Sequence, residues 1–227
     1  MATLQLLMNE NLFVRDPQET ELGRKIIEES IRMIDELGFE KFTFKKLALK
    51  IDSTEASVYR YFENKHRLLV YLIAWYWNWL EYRIDFGTQN ISDPRKKLQI
   101  ALALVTEKKD RDPLFPEVDE EALYRIVIWE SDKTYLTKQV DDDNREGLFR
   151  GFKSLCAKIA SYITEINPAY KYPHSLISTV LQMAHQQLFY AEHLPSLTDI
   201  KKKKGNLQAQ NEAFLGEMIF NTITPKK

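Results

Sequence analysis

The chain has 227 residues, and its 32 lysines and arginines are balanced by 33 aspartates and glutamates, which gives a net charge of -1 at pH 7. This balance excludes a protein that is basic overall, so a nucleic acid or an anionic membrane would have to be met by a local patch. The single cysteine, Cys156, excludes an internal disulfide framework and a zinc site built from cysteine pairs. With no pattern of a secretory signal at the N-terminus, we expect a cytoplasmic protein.

Glycine is scarce, with seven in the whole chain. This is less than half of the usual share of roughly 7%, and it leaves few positions for tight hairpins and phosphate loops. Helices are therefore favoured. The most apolar run, 68–80, is shorter than the roughly 18 residues that would indicate a membrane span, so it predicts a buried helix and no membrane partner.

The first helix is predicted to begin at the Asp16-Pro17 pair, an N-cap followed by a proline at the first helical position. Apolar residues then recur at three- and four-residue spacings, and charged residues fill the opposite face. Gly38 follows the last apolar residue and is a typical helix stop. One side of this helix is expected to face a core.

Two short helices separated by a turn are predicted next. Thr43 caps the first, and apolar residues recur on one of its faces. The segment 52–54 interrupts the pattern, and either Ser53 or Thr54 can cap the second helix, which ends near 63–65. Two such helices packed on a longer preceding one form the helix-turn-helix pattern.

The rest of the chain predicts further helices and no strand, so the fold class is all-α with nine or ten helices. A helix from residue 65 to about 86 is expected to be closed by Gly87, and the segment 113–116 reads as a loop because it is flanked by prolines. The other predicted helices cover 94–109, 119–130, a long stretch up to 167 with an interruption left open near 141–143 and Gly147, 173–193, and about 207–221.

Basic residues concentrate in the segment 41–67. It carries seven lysines and arginines against three acidic residues, a local charge of +4 in a chain that is otherwise balanced. The bases fall on the first turns and outer faces of the short helices, where helix dipoles favour phosphate, and hydroxyl groups are interleaved with them. A solvated lysine-rich face is the alternative from charge alone. The turn and the hydroxyls favour double-stranded DNA as the partner.

The segment 43–65 resembles the DNA-binding signature of TetR-family transcriptional regulators. The similarity covers roughly 17–70, and the chain departs from it in the turn, where the family usually has glycine and valine and this chain has Asp52 and Ser53, and at Ala56, where glycine is frequent. Aspartate tolerates a left-handed backbone better than most residues, so the turn can still form. The residues that carry the resemblance are Thr43, Leu47-Ala48, Tyr59-Arg60-Tyr61-Phe62, Lys65 and Leu68-Leu69.

The resemblance implies a DNA-binding surface whose second short helix enters the major groove. The candidates for base reading are Glu55 and Ser57, because a carboxylate accepts from cytosine N4 and a hydroxyl serves several base edges. For Glu55, stabilisation of the helix N-terminus is the alternative. Charge and expected exposure add Lys45, Lys46 and Arg60. The phosphate contacts that the resemblance itself implies are Thr43, Tyr59, Tyr61 and Lys65, with Thr54 at the start of the reading helix.

The remainder of the chain is expected, from the resemblance, to bind a small-molecule effector. Aromatic residues on several later helices can build a mostly apolar cavity with a few polar groups, although most of them are expected to be core. For the histidine among the candidates, a satisfied core or interface position is the alternative. The candidates for the pocket are Trp75, Trp79, Tyr82, Tyr124, Trp129, Phe152, Cys156, Gln182 and His185.

The resemblance also implies a homodimer that pairs through the last two long helices. Two-fold symmetry would place two reading helices about 34 to 36 Å apart. The same apolar rows can instead face the core of the monomer. The candidates for the interface are Leu176, Val180, Met183, Leu188, Phe214, Met218 and Ile219.

The sequence therefore predicts a DNA-binding domain over 1–66, with its core at 17–66, and a helical effector-binding and dimerisation domain over 67–227. Enzyme signatures are absent: there is no glycine-rich phosphate loop, no metalloprotease motif and no nucleophile elbow. We expect no catalytic site, no metal site and no cofactor. The function predicted is a TetR-like repressor that an effector releases from a palindromic operator, and the alternative is an all-helical interaction protein that has lost DNA binding.

Overall fold

The computed structural model describes residues 4–224, and this part of the chain is all-α, with eleven α-helices and no strand. The predicted fold class is confirmed. The count exceeds the expected nine or ten because the stretch after residue 130 divides into two short helices and one long one. The helices are α1 (Glu21–Leu37), α2 (Phe44–Lys50), α3 (Glu55–Tyr59), α4 (Lys65–Thr88), α5 (Pro94–Thr106), α6 (Glu120–Glu130), α7 (Asp132–Tyr135), α8 (Val140–Arg145), α9 (Arg150–Ile166), α10 (Pro173–His193) and α11 (Leu207–Ile223).

The first helix begins later than predicted. Asp16 caps only a single 3-10 turn, Pro17–Glu19, and Thr20 is the residue whose side chain accepts a hydrogen bond from the first turn of α1, at Gly23 N. The turn folds back on α1 so closely that a Cβ at Gly23 would lie 2.3 Å from the carbonyl oxygen of Pro17. The prediction missed this because two capping signals stand four residues apart and the first one serves the turn.

Two left-handed backbone positions fix the ends of helices as the sequence indicated. Gly38 follows α1 with a φ of 78°, and Asp52 lies in the turn between α2 and α3 with a φ of 51°. The expected stop at Gly87 is wrong, because α4 continues through this glycine to Thr88 and the chain turns at Asn90, whose φ is 62°.

The chain forms two compact units. The first contains the residues up to 79 together with 109–152, and the second contains 80–108 and the residues from 153 onward. In the first unit α1 packs on α6 and α2 packs on α3, and the fully buried Tyr71, Tyr76 and Trp79 of α4 supply much of the core. In the second unit α11 packs on α5 and α10, and Asn211 Nδ2 donates a buried hydrogen bond of 2.8 Å to the Ala184 carbonyl. The division into functional domains after residue 66 stays a prediction.

The segment before α1 belongs to the first unit and is tied to it by hydrogen bonds. Val14 N donates to the Tyr61 carbonyl at 2.8 Å, and Asn9 Nδ2 donates to the Gly147 carbonyl at 2.8 Å. Tyr61 lies two residues after the end of α3, so this hydrogen bond attaches the N-terminal segment to the end of the second short helix. None of the helices within residues 4–224 has the length and apolarity needed to cross a membrane.

Candidate nucleic-acid interface

The helices α2 and α3 form a compact wedge because each is capped and each buries one face. The Thr43 side chain accepts from Lys46 N at 3.3 Å, and the Thr54 side chain accepts from Ser57 N at 3.2 Å. These two caps satisfy backbone donors that a helix leaves open at its first turn. The buried faces consist of Phe44, Leu47, Ala48, Ile51, Val58 and Phe62.

The turn between the two helices closes without the glycine that the resemblance leads one to expect. Asp52 adopts the left-handed conformation, and Ser53 N donates to the Ala48 carbonyl at 2.9 Å. Ile51, the residue before Asp52, is buried. The substitutions in the turn therefore preserve the helix-turn-helix geometry.

The exposed face of the wedge carries cations without acidic partners. Lys41, Lys45, Lys50 and Arg60 are exposed and form no ion pair with any residue between 4 and 224. Lys46 is also exposed, and its Nζ donates only to the Lys41 carbonyl, at 2.8 Å. Because these cations have no acidic partner among the described residues, this face is electropositive and suits an anionic partner.

Hydroxyl groups share this face with the cations. Thr43 and Thr54 are exposed, and Tyr59 is 47% exposed while its ring packs edge-on against Phe44 with 5.0 Å between ring centroids. Glu55 is exposed in the first turn of α3. Lys41 and Lys50 were absent from the predicted site residues, although the charge count over 41–67 already included them.

Two predicted contact residues face inward instead. Ser57 is only 7% exposed, and its Oγ lies 2.8 Å from Thr54 Oγ1 and accepts from Arg60 Nη2 at 2.8 Å. Tyr61 is buried, and its hydroxyl is hydrogen-bonded to Thr20 Oγ1 at 2.7 Å. Both hydroxyls are engaged within the chain, so the structure corrects the expectation that Ser57 presents an edge to a base and that Tyr61 presents its hydroxyl to a phosphate.

Lys65 also turns toward the protein. Its Nζ donates to the carbonyl oxygens of Phe39 at 3.1 Å, Glu40 at 3.3 Å and Phe42 at 3.4 Å, and it lies 4.6 Å from the centroid of the Phe39 ring. These contacts hold the loop between α1 and α2. The position of Lys65 at the N-terminus of α4 gave no sign of this role, because it depends on the loop arriving from α1.

The comparison with protein families agrees with the geometry of the wedge. The family described as "Bacterial regulatory proteins, tetR family" matches residues 26–72, the range that contains most of α1, both short helices and the start of α4. Residues 26–72 therefore form a helix-turn-helix domain of the TetR family. The description names regulatory proteins, in agreement with the class of function that the sequence predicted.

A curated relative supports the TetR assignment over part of the chain. The HTH-type transcriptional repressor KstR of Rhodococcus jostii (strain RHA1) is 28% identical over 101 residues, which cover 44% of this chain. The match spans 46% of the length of KstR, so the chain covers about half of the curated relative that it matches.

Two solved structures share the fold over most of the chain. The fatty acid degradation regulator FadR from Bacillus halodurans aligns with a TM-score of 0.61 at 15% identity, over 86% of this chain and 92% of its own. AibR in complex with isovaleryl coenzyme A and operator DNA aligns with a TM-score of 0.60 at 16% identity, over 88% of this chain and 99% of its own. At these identities the likeness shows the fold.

The structure does not gather the nine predicted pocket residues within one compact unit. Tyr82, Cys156, Gln182 and His185 belong to the second unit and the other five to the first. In the first unit Trp75 stacks on Trp79 with centroids 6.4 Å apart. Trp75 also meets Phe115 edge-on, and Trp79 Nε1 donates to Asp112 Oδ2 at 3.2 Å. These two tryptophans are packed as core, and Tyr124 joins them through Tyr76.

Phe152 borders a small cavity in the first unit. It packs against Trp77 and Tyr135, and the cavity beside these three side chains has a volume of about 10 Å³. A single water molecule needs about this volume, so the cavity is too small for an effector. Trp129 is 47% exposed and Gln182 is exposed, and their part in an effector site stays a prediction.

The remaining pocket candidates lie in the second unit. Cys156 is buried, which raises the pKa of its thiol, and its Sγ donates to the His174 carbonyl at 3.6 Å. His185 is buried on α10. Tyr82 is half-buried on α4. Their part in an effector site stays a prediction.

The predicted dimer residues divide into two groups. Val180, Leu188 and Ile219 are buried within the chain, so they belong to the core of the second unit and the prediction is corrected for them. The others are at least partly accessible, with Phe214 at 44% exposure and Leu176, Met183 and Met218 half-buried.

Proposed function

We propose that this chain is a DNA-binding transcription regulator of the TetR type, acting in the cytoplasm as a repressor. The observation that carries the proposal is the exposed face of α2 and α3, where five cations have no acidic partner within residues 4–224 and three hydroxyls stand beside them. DNA presents phosphates that accept from such groups, and helix N-termini add favourable amide dipoles.

The proposed contacts follow from exposure. Lys45, Lys46 and Lys50 meet phosphates as cations, and Thr43 and Tyr59 donate hydroxyl hydrogen bonds to phosphate oxygens. The helix α3 enters the major groove with Thr54 at its N-terminus, which places the exposed Glu55 near base edges. A carboxylate at this position accepts from cytosine N4.

The proposed assembly is a homodimer. The accessible apolar side chains on α10 and α11, Leu176, Met183, Phe214 and Met218, support pairing of these helices with their symmetry mates. Two-fold symmetry then requires an operator with two half-sites in inverted orientation, about 34 to 36 Å apart.

The proposed effector is an acyl-coenzyme A thioester. The support is the shared fold with AibR, whose structure was solved with isovaleryl coenzyme A and operator DNA, together with the likeness to a fatty acid degradation regulator. An effector that prefers a conformation in which α4 has moved lowers operator affinity. By linkage the operator lowers effector affinity by the same factor, typically through 1 to 3 kcal/mol of coupling.

The experiment for DNA binding is selection from a random duplex library, followed by titration of the enriched site at several salt concentrations. We expect an inverted repeat. Lys45→Ala and Lys50→Ala should each reduce the slope of log affinity against log salt by about 0.9. Lys171→Ala, which removes an exposed lysine outside the wedge, is the control and should leave the slope unchanged. No enrichment and no retention on heparin would favour the alternative, a helical interaction protein without DNA binding.

The experiment for the effector uses the selected duplex and isovaleryl coenzyme A, with a series of longer acyl chains. Addition of the cognate thioester should weaken operator binding by roughly 5- to 150-fold. Free coenzyme A is the control for the nucleotide part of the ligand. An operator affinity that no thioester changes would remove acyl-coenzyme A from the proposal.

A further inference from the structure

A chain of hydrogen bonds runs along α3 from its N-cap, Thr54, to Arg60, the residue that follows the helix. Thr54 Oγ1 accepts from Ser57 N at 3.2 Å and lies 2.8 Å from Ser57 Oγ, and Ser57 Oγ accepts from Arg60 Nη2 at 2.8 Å. Because Ser57 is 7% exposed, the acceptor that its hydroxyl offers to Arg60 is buried. The exposed guanidinium of Arg60 is thereby held at one nitrogen.

Arg60 differs in this respect from the next arginine along the chain. Arg67 is surrounded by Glu63 at 3.8 Å, Asp143 at 3.8 Å and Glu146 at 2.9 Å. Arg60 makes no ion pair within residues 4–224, and its charge-bearing end meets only the neutral Ser57 hydroxyl. A guanidinium has five N–H donors, so four of them remain for a partner outside the protein.

We propose that Arg60 reads a guanine in the major groove and that Ser57 is a positioning residue that sets the direction of its guanidinium. The inference rests on the proposed function. Arginine binds guanine O6 and N7 through two parallel N–H groups, which requires the plane of the guanidinium to be oriented. A hydrogen bond from Nη2 to a buried hydroxyl lowers the rotamer freedom that must be lost on binding.

A phosphate contact is the competing role for Arg60. A phosphate accepts a cation from many directions, so it does not require an orienting hydroxyl, and the same contact would be sequence-independent. The neighbouring lysines Lys45 and Lys50 have no side-chain hydroxyl holding them, as expected for contacts of that kind. The two roles predict different responses to a change in a single base.

The test uses the full-length protein and the duplex selected in the random-library experiment. Each guanine is replaced in turn by 7-deazaguanine, which removes the N7 acceptor and keeps the Watson–Crick pair. For the wild-type protein, one symmetry-related pair of positions should lose roughly 10- to 100-fold in affinity. Arg60→Met should bind the unmodified duplex less tightly by the same factor and show no further loss at those positions.

Ser57→Ala should retain the salt slope and lose several-fold in discrimination between guanine and 7-deazaguanine. Ser57→Thr should restore this discrimination. Melting temperatures of both variants confirm that they are folded. Lys45→Met is the control, because it should lower the salt slope and leave the discrimination unchanged. The inference is overturned if Arg60→Met keeps the full penalty for 7-deazaguanine, or if it weakens all duplexes equally and flattens the salt slope by about 0.9. If the wild-type protein selects no site at all, the proposed function itself fails.

Discussion

The backbone N–H of Phe39 donates a hydrogen bond of 3.0 Å to Glu130 Oε1, although 91 positions separate these residues in the chain. Phe39 lies in the loop that leads from α1 into the helix-turn-helix, and Glu130 is the last residue of α6. The other carboxylate oxygen of Glu130 is 2.7 Å from Lys133 Nζ, which also meets Glu40 Oε1 at 3.0 Å. The C-terminal end of α6 and the adjacent Lys133 therefore fix the loop between α1 and α2.

Replacing Glu130 with alanine should lower the free energy of unfolding by about 2 to 3 kcal/mol, because a buried N–H loses a charged acceptor. Glu130→Gln keeps an acceptor for Phe39 N and loses the ion pair, so it should cost about 1 kcal/mol. Urea denaturation measures both. Glu121→Ala is the matched control on the same helix: its half-exposed carboxylate pairs with Arg125 at 3.4 Å, and its loss should cost less than about 1 kcal/mol. Equal effects of the three substitutions would contradict the role of the Phe39 contact.

The 3-10 turn before α1 depends on the absence of a side chain at position 23. A Cβ there would lie 2.3 Å from the Pro17 carbonyl oxygen and 2.6 Å from its Cα, and both atoms belong to the backbone. Gly23→Ala should therefore destabilise the fold by about 1 to 3 kcal/mol, measured by denaturation. Gly216→Ala is the control in α11, where a Cβ would meet no atom within 4 Å, and it should raise stability by up to about 1 kcal/mol.

Stability should fall as the pH rises because of Glu120. Burial raises the pKa of this carboxyl to about 7. Hydrogen bonds from the backbone of Glu120 and Asp112 oppose this rise, and the negative charges of Asp112 and Asp119 add to it. Glu120 is completely buried. Its Oε2 accepts from Asp112 N at 3.1 Å, and its Oε1 has no hydrogen-bond partner among residues 4–224. The protonated form is favoured in the folded state, since a neutral carboxyl is less costly to bury than a carboxylate.

The sign follows from the two pKa values. Between pH 4.5, the usual value, and about 7, the folded state holds a proton that the unfolded state releases. The free energy of unfolding therefore decreases across this window, by on the order of 3 kcal/mol, and this contribution is constant above it. Glu120→Gln should flatten the decrease and be the more stable protein at pH 8. Glu212→Gln is the control at an exposed site, and its free energy of unfolding should depend on pH as in the wild type. If Glu120→Gln also showed the wild-type dependence on pH, the raised pKa of Glu120 would be wrong.

Lys65 should contribute to folding more than to DNA binding. Its three carbonyl acceptors lie in the loop between α1 and α2. Lys65→Met should lower the free energy of unfolding by about 1 to 2 kcal/mol and change the salt slope of DNA binding by much less than 0.9. Lys45→Met should do the reverse: it should reduce the salt slope by about 0.9 and change the free energy of unfolding by no more than about 0.5 kcal/mol. If Lys65→Met reduced the salt slope of DNA binding by about 0.9, Lys65 would be a phosphate contact after all.

The local parts of this structure could be predicted from the sequence, because they depend on residues a few positions apart. The caps at Thr43 and Thr54, the left-handed Asp52 and the stop at Gly38 are of this kind. The inward contacts of Ser57, Tyr61 and Lys65 could not be predicted, since those of Tyr61 and Lys65 depend on distant partners such as Thr20 and the 39–42 loop. The core packing of Trp75 and Trp79 could not be predicted for the same reason, because an aromatic residue in a helix gives the same sequence pattern whether it packs against other side chains or lines a cavity.

The accessible apolar face of α11 yields a prediction about assembly. Phe214 is 44% exposed, while Leu215 and Ile219 on the same helix are fully buried, so a charge at position 214 can be solvated in the monomer and cannot be buried in an apolar interface without a large cost. Phe214→Glu should convert a dimer of about twice the 26.8 kDa chain mass into monomers with an unchanged melting temperature, and it should abolish cooperative binding to the two half-sites.

Light scattering coupled to gel filtration measures this change in mass. Phe86→Glu is the matched control, because Phe86 is 71% exposed on α4, outside the proposed interface, and accepts the same substitution. Val180→Glu should instead unfold the protein, since Val180 is buried within the chain and its replacement would place an unpaired carboxylate in the core. If Phe214→Glu remained dimeric and Phe86→Glu became monomeric, the interface would lie on α4 and the pairing through α10 and α11 would be wrong.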